Sequence, residues 1–252
     1  MPGAKAGAKP PPPPDPHPRP GLEEARALWW RPEVTAGELA RQGRRWTVWT
    51  AWIAIVFSAP GAILLVVSPL TLPVALGCFA HAWLIPWLQA RRGARAVVPL
   101  RDADGGADAA AAAEASRVAL GLLGDLVGHR ERELLAETGL ALERGLLGVW
   151  LVGERGALMV RPGGRRVDSW CVTVGEPEDL PPADRIAHLL LALREDEPGF
   201  AKVANLGFSG APWRVRRGLP ERCRLALAEA RRAARVGAST VSRGALVPID
   251  EL

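Results

Sequence analysis

The sequence predicts a two-pass α-helical membrane hairpin followed by a small α+β cytoplasmic domain, in which helices flank a three- to four-stranded antiparallel meander. Three observations carry this. From Trp46 to Ala90 the chain runs 45 residues without an Asp, Glu, Lys or Arg. That run is bracketed by mirrored punctuation, RRWTVWTAW at 44–52 and WLIPWLQARR at 83–92. Beyond residue 140, short β-prone segments alternate with glycine-rich turns.

One membrane crossing takes about 20 apolar residues, so the uncharged run is long enough for two. The break falls near Val67–Leu70, because Pro69 disfavours helical geometry at Ser68 and Pro73 suits the first turn of a new helix. The spans are therefore about 46–67 and about 70–90. A hairpin returns both ends to one face, where Trp46, Trp49 and Trp52 share a depth with Trp83 and Trp87. Arg41, Arg44 and Arg45 on one side and Arg91, Arg92 and Arg95 on the other mark that face as cytoplasmic. The expected interface anchors are thus Arg44, Arg45, Trp46, Trp49, Trp52, Trp83, Trp87, Arg91 and Arg92. The competing reading is a buried helical pair in a soluble protein, although such helices rarely go so far without a charge.

The first 45 residues are polar and proline-rich, so no tripartite signal peptide is expected. Both termini are expected in the cytoplasm, and the membrane is expected to be the cytoplasmic (plasma) membrane of a bacterium, since heavy Ala, Gly, Pro and Arg use fits a high-GC coding bias. The terminal IDEL lacks the Lys or His of an ER-retrieval signal.

Residues 1–34 form an expected disordered arm, whose Pro10–Pro14 run favours polyproline II and could alternatively dock on a proline-binding module. Residues 35–95 make the hairpin, and Thr35 and Glu38 have capping-box spacing, so a helix starting there can run straight into the first span. Trp29 and Trp30 could rest on the headgroup surface. Residues 96–114 read as a linker, 115–236 as the α+β domain, expected to fold on its own, and 237–252 as a flexible tail. Within the domain, Val118, Leu122, Leu123 and Leu126 supply an apolar helical stripe. A short helix near Glu131–Glu137 ends at Gly139. LLGVWLV (146–152), ALMVR (157–161) and VDSWCVTV (167–174) read as strands, with turns at 153–156 and 162–165 and Leu140–Arg144 as a possible fourth. Each layer is expected to bury one apolar face, with Trp150 and Trp170 in the core. Pro181-Pro182 opens a helix with Ile186, Leu189, Leu190 and Leu193 at i, i+3, i+4, i+7. NLGFSGAPW (205–213) reads as a connector, and a last helix covers about 220–236.

Charge supplies the first functional cue. The chain is +5, but residues 1–45 hold eight Lys/Arg against five Asp/Glu, Arg91, Arg92 and Arg95 add three, and residues 96–252 hold 21 basic against 22 acidic residues. The excess sits beside the membrane, where topology and anionic lipid account for it. A nucleic-acid partner is disfavoured because no recognition motif is present. Residues 202–235 nevertheless hold nine basic against two acidic residues, after a segment with 11 against 18. Trp213, Arg214, Arg216, Arg217, Arg222, Arg224, Arg231, Arg232 and Arg235 are the candidate face for anionic lipid or a partner; internal pairing with the acidic half is the competing account.

No enzyme signature, metal set or cofactor motif is found. There is no metal-binding histidine pair, phosphate loop or strand-linked GxGxxG. Gly207–Ala211 misses the GxSxG elbow at its last position. Cys78, Cys171 and Cys223 include no CxxC, and a Cys171–His188 dyad competes with an ordinary buried strand thiol. His81, inside the second span, is the remaining candidate. Ser58 lies at the same depth, and Pro60 frees the carbonyl of Val56, so His81 is expected to bind one of them between closely approaching helices at Ala51, Ala54, Ser58 and Gly61; a proton-coupled role is the alternative. The expected function is an integral membrane protein presenting a binding or regulatory domain to the cytoplasm. The alternatives are a membrane-anchored enzyme of unrecognised type and a subunit of an oligomeric transporter using His81. The expected partners are the lipid bilayer and another protein or a second copy; any small-molecule ligand is left open.

Overall fold

Thr35 starts the longest helix, its hydroxyl accepting the N–H of Glu38 at 3.2 Å in the N-cap position. In the computed structural model, which describes residues 21–98, 109–172 and 180–244, this helix follows a short α1 (Glu23–Ala27) and runs unbroken as α2 (Ala36–Val67). Ser68 and a 3₁₀ turn at Pro69–Thr71 reverse the chain, and α3 (Leu72–Ala94) returns antiparallel with Pro73 in its first turn. Thr71 Oγ1 donates to the carbonyls of Leu64 (2.6 Å) and Ser68 (2.7 Å), closing the last turn of α2. Helix, break and second helix lie where the sequence places them. Both helices are long and apolar enough to cross a membrane.

The hairpin closes through Ile53, Phe57 and Gly61 of α2. A Cβ on Gly61 would sit 3.2 Å from Cys78 Cβ and Phe79 Cζ and 3.3 Å from the Ala75 carbonyl, so glycine sets the separation. Ala51 and Ala54, expected on this face, point outward instead.

After α4 (Ala109–Leu126) and α5 (His129–Thr138), Gly139 ends α5 in the left-handed conformation at φ 71°, as a C-terminal glycine does. Strands β1 (Ala141–Arg144), β2 (Val149–Gly153), β3 (Gly156–Val160) and β4 (Val167–Cys171) make an antiparallel meander. Its turns carry positive-φ glycines at 156, 163 and 164. Then come α6 (Pro182–Glu195), α7 (Glu197–Val203), β5 (Asn205–Gly210), α8 (Pro212–Arg216) and α9 (Glu221–Gly244).

Several expectations change. The sheet has five strands in the order β1-β2-β3-β4-β5, because the NLGFSG segment read as a connector pairs with β4 as an edge strand, with a register shift at Ser169/Trp170. Two glycines hid it: at such positions another group approaches closely and no side chain advertises the strand. The sheet also buries both faces. Trp150, Val152, Met159 and Trp170 pack with α4, α6 and α7; Leu151, Leu158, Val160, Val167 and Phe208 pack with α3, α8 and α9. The continuous apolar runs of β2 and β3 are what two covered faces require. On α4 the buried line is Ala119 and Leu123, continued by Val127, while Val118 and Leu122 face outward. Two overlapping i, i+4 lines exist on that apolar helix, and periodicity cannot choose between them.

Boundaries shift too. Residues 21–34 are ordered: Arg31 donates to the carbonyls of Lys202 (3.0 Å) and Val203 (3.3 Å) and to Asn205 Oδ1 (3.0 Å), and Val34 is buried. Val97, inside the expected linker, lies in the second core, and α4 begins at Ala109. Helix α9 extends to Gly244. The proline run, the middle of the linker (99–108), the end of the VDSWCVTV segment and the last eight residues lie outside the described residues.

Candidate functional site

The hairpin does not hang beside the sheet; its lower ends grip the β4–β5 edge. On one side, Arg161 follows β3 and Arg166 precedes β4, held as neighbours by the tight 162–165 turn, in which the Arg161 N–H donates to the Arg166 carbonyl at 3.0 Å. Arg161 makes a two-pronged bond to Asp168, Nε to Oδ2 at 2.5 Å and Nη2 to Oδ1 at 2.9 Å. Asp168 is fully buried and stands opposite Ser209 in the ladder. Arg166 Nε donates to Ser209 Oγ at 3.1 Å, and its Nη2 reaches α2, donating to the Gly43 carbonyl at 2.7 Å and to Thr47 Oγ1 at 2.8 Å. Gly43 is what admits these guanidiniums, since a Cβ there would lie 2.9 Å from Arg161 Nη1.

On the other face, Ser169 Oγ donates to the Gly93 carbonyl of α3 at 2.6 Å. A Cβ on Gly93 would sit 2.5 Å from Phe208 Cβ. Phe208 is fully buried, and Trp46 packs on it at 5.9 Å between ring centroids. Arg214 of α8 donates to the Pro86 carbonyl at 2.8 Å with its guanidinium over the Phe208 ring at 5.3 Å.

Charge in this joint is three guanidiniums, Arg161, Arg166 and Arg214, and one buried carboxylate, Asp168, which Arg161 bonds directly. Burial, and then the neighbouring Arg161, push Arg166 below the usual arginine range, with Asp168 opposing; burial pushes Arg214 down likewise. Both guanidiniums start so high that they stay charged at neutral pH. Ser209 is held from two sides: its oxygen accepts from Arg166 at 3.1 Å and from Arg161 Nη2 at 3.4 Å, beside the Asp168 carboxylate across the ladder.

No protein-family model, curated protein or solved structure matches this chain. Its function is read from its own residues.

Of the expected anchors, Trp49, Trp52 and Trp83 are more than half exposed, at 57%, 58% and 62%, and Arg44, Arg45, Arg91 and Arg92 are exposed around the hairpin base. Trp87 stacks on Trp83 at 5.7 Å and lies beneath Arg91 at 5.2 Å. Trp46 instead turns inward to Phe208. Trp29 and Trp30 stack edge to face on the segment tied to α7 and the start of β5.

The basic 202–235 face is divided. Trp213 and Arg217 form a cation–π pair at 4.9 Å beside Arg216, and Arg214 is spent on Pro86. Arg224 and Arg231 donate to the Leu219 and Gly164 carbonyls, Arg232 pairs with Glu229, and Arg222 and Arg235 are exposed. The ion pair that joins the two segments runs the other way, from Arg130 of the acidic half to Glu229 of the basic one at 2.8 Å.

His81 and Ser58 are not joined. His81 Nδ1 lies 2.7 Å from its own helix's Gly77 carbonyl, and its ring stacks on Phe57 at 5.6 Å. Cys171 and His188 are not brought together either. Trp170 packs toward α6, so the alternating pleat sends Cys171 to the opposite face. Burial pushes the Cys171 thiol up against the pull of Arg155.

Sequence reasoning missed Arg161, Arg166, Asp168 and Ser169. The available signal was the Asp-Ser pair inside VDSWC, two polar residues where an apolar strand has no use for them unless a partner waits.

Proposed function

We propose that this chain is a two-pass protein of the cytoplasmic membrane, with both termini in the cytoplasm, that holds its sheet domain against the inner leaflet as a binding or regulatory module. One observation supports this above the rest. In the most apolar stretches of α2 and of the 3₁₀ turn with α3, only 11% and 6% of residues are buried, whereas the lower ends of the same helices enter the sheet's cores. Helices that were the core of a soluble protein would be buried throughout. Exposed apolar helices of this length need a surrounding of the same polarity.

Length agrees. At 1.5 Å per residue α2 is about 48 Å long, roughly 18 Å more than the hydrocarbon core, and the surplus matches the stretch from Ala36 to Thr47 that runs beside the sheet. The Arg and Trp residues ring the hairpin where these two regimes meet, and cation-rich flanks face the cytoplasm. Arg214 fixes α8, with Trp213 and Arg217, at the level of Pro86, which sets part of the basic face at the headgroups. The occupant of the rest of that face is a partner protein or a second copy.

Topology reporters test this. Fusions at residue 20 and at the C-terminus are expected to read cytoplasmic and one at Ser68 periplasmic. A periplasmic C-terminus overturns the proposal.

A further inference from the structure

Along α2, one stripe combines exposed arginines with an apolar and aromatic continuation. Arg41, Arg44, Arg45, Val48, Trp49 and Trp52 line one shallow, open groove between the side chains of α2. Their spacing of i, i+3, i+4, i+7, i+8, i+11 puts them on one side of the helix, and Gly43, within that segment, faces the sheet. The groove is graded. Its lower end is arginine, its upper end apolar and aromatic, and it spans about 16 Å of helix axis.

Charge within the groove is uncompensated. Arg41 pairs with Glu38 at 2.5 Å, so three arginines against one carboxylate leave a surplus of two. Arg44 and Arg45 carry no ion pair among the described residues. At the base of α3 and on α8, Arg91, Arg214 and Arg217 already lie on Trp87, Phe208 and Trp213, and the exposed Arg92, Arg95 and Arg216 line no part of this graded groove.

We infer that this groove is a binding site for an anionic phospholipid, whose phosphodiester sits on Arg44 and Arg45 and whose acyl chain lies along Val48, Trp49 and Trp52. Guanidinium forks match phosphate oxygens in geometry as well as charge. The polar-to-apolar order along the groove is the order of a lipid from headgroup to chain, and it follows the direction in which α2 leaves the arginine level for its uncharged run. An acidic protein would satisfy the arginines but not the apolar upper half. The inference rests on the membrane reading above and adds a particular ligand to it.

The test uses the full chain purified in a non-ionic detergent and titrated with phosphatidylglycerol or phosphatidylcholine of identical acyl chains, with retained lipid read by native mass spectrometry. Phosphatidylglycerol is expected to be retained at one per chain, in preference to phosphatidylcholine. R44Q/R45Q is expected to weaken retention about 25-fold, at the scale of about 1 kcal/mol per arginine near a lipid surface, while R117Q/R144Q, at exposed arginines outside both basic faces, changes it less than twofold. Trp49→Ala, which leaves the charge intact, is expected to weaken both lipids. Glycerol phosphate, with the headgroup chemistry but no chain, is expected not to compete. Equal retention of the two lipids hands the groove to a protein partner and overturns the inference. So does undiminished retention by R44Q/R45Q, an equal loss in R117Q/R144Q, or competition by glycerol phosphate. Extraction separates the two levels: a chain released from membranes by alkaline carbonate without detergent fails the membrane reading and the lipid site together, whereas a chain that stays and shows no headgroup preference fails the lipid site alone.

Discussion

The upper and lower halves of the hairpin are built from the same two helices and held by different forces. In the upper half, contact is helix to helix across Ile53, Phe57 and Gly61, hydrogen bonds are local, as at His81 and Thr71, and the outer surface is bare apolar side chain. In the lower half the bonds jump across the sequence: Arg166 to Gly43, Ser169 to Gly93, Arg214 to Pro86. Two glycines mark the change. Gly61 admits the partner helix, whereas Gly93 admits Phe208 of the sheet. On the proposed membrane reading, lipid is as apolar as these helices, so the upper half gains little by hydrophobic burial and relies on close fit. The lower half gains by burial and by satisfying buried polar groups, and so it carries the specificity of the fold.

Substitutions in the two halves should therefore differ in size. The largest effect is expected at Phe208→Ala, about 3–5 kcal/mol, since the ring is fully buried among Gly93, Trp46 and Arg214; chemical unfolding of the full chain in micelles measures it. Asp168→Asn comes next at about 3 kcal/mol, because Arg161 is left with a nearly buried, uncompensated charge. A double variant with Arg161→Met should recover part of that loss if the pair is the cause.

A pH effect follows from Cys223 in the second core. Burial raises its thiol, with Arg222 opposing. A pKa raised in the fold means the stabilising contribution is complete below the unfolded thiol's pKa and is lost as pH rises through the folded one. Melting temperature is expected to fall through the alkaline thiol range, and Cys223→Ala should flatten that part of the profile. Smallest of all is His81→Leu, expected below ~0.6 kcal/mol, since the ring bonds its own helix; a loss comparable to Asp168→Asn would erase the contrast between the halves.

What the sequence disclosed follows the same division. The hairpin, its Ser68–Pro69 break, the Thr35 cap, the Gly139 stop and the Ile186/Leu189/Leu190/Leu193 stripe were legible because each is set by neighbours within a turn or two. β5 was not, since Gly207 and Gly210 write no alternation and its strand character comes from β4 beside it. The two-sided sheet was only half visible: VWLV is as apolar as a doubly buried strand must be, but a short apolar run does not say how many layers cover it. The joint was hidden for a stronger reason. Arg166 and Gly43 are 123 residues apart, and nothing local to either announces the other.

The central claim is that the base of the hairpin is part of the sheet's core and not a tether to it. Residues 115–236 carry most of the sheet and its flanking helices, and cooperative thermal unfolding of that segment, read by near-ultraviolet tryptophan dichroism beside the full chain in micelles, tests the claim directly. Without Leu39, Trp46, Ala90, Gly93, Ala94 and Val97, the β5 edge and Phe208 lose their cover, and the segment is expected to show no cooperative transition. A sharp transition at the full chain's temperature would contradict the claim and make the sheet an independent domain on a leash.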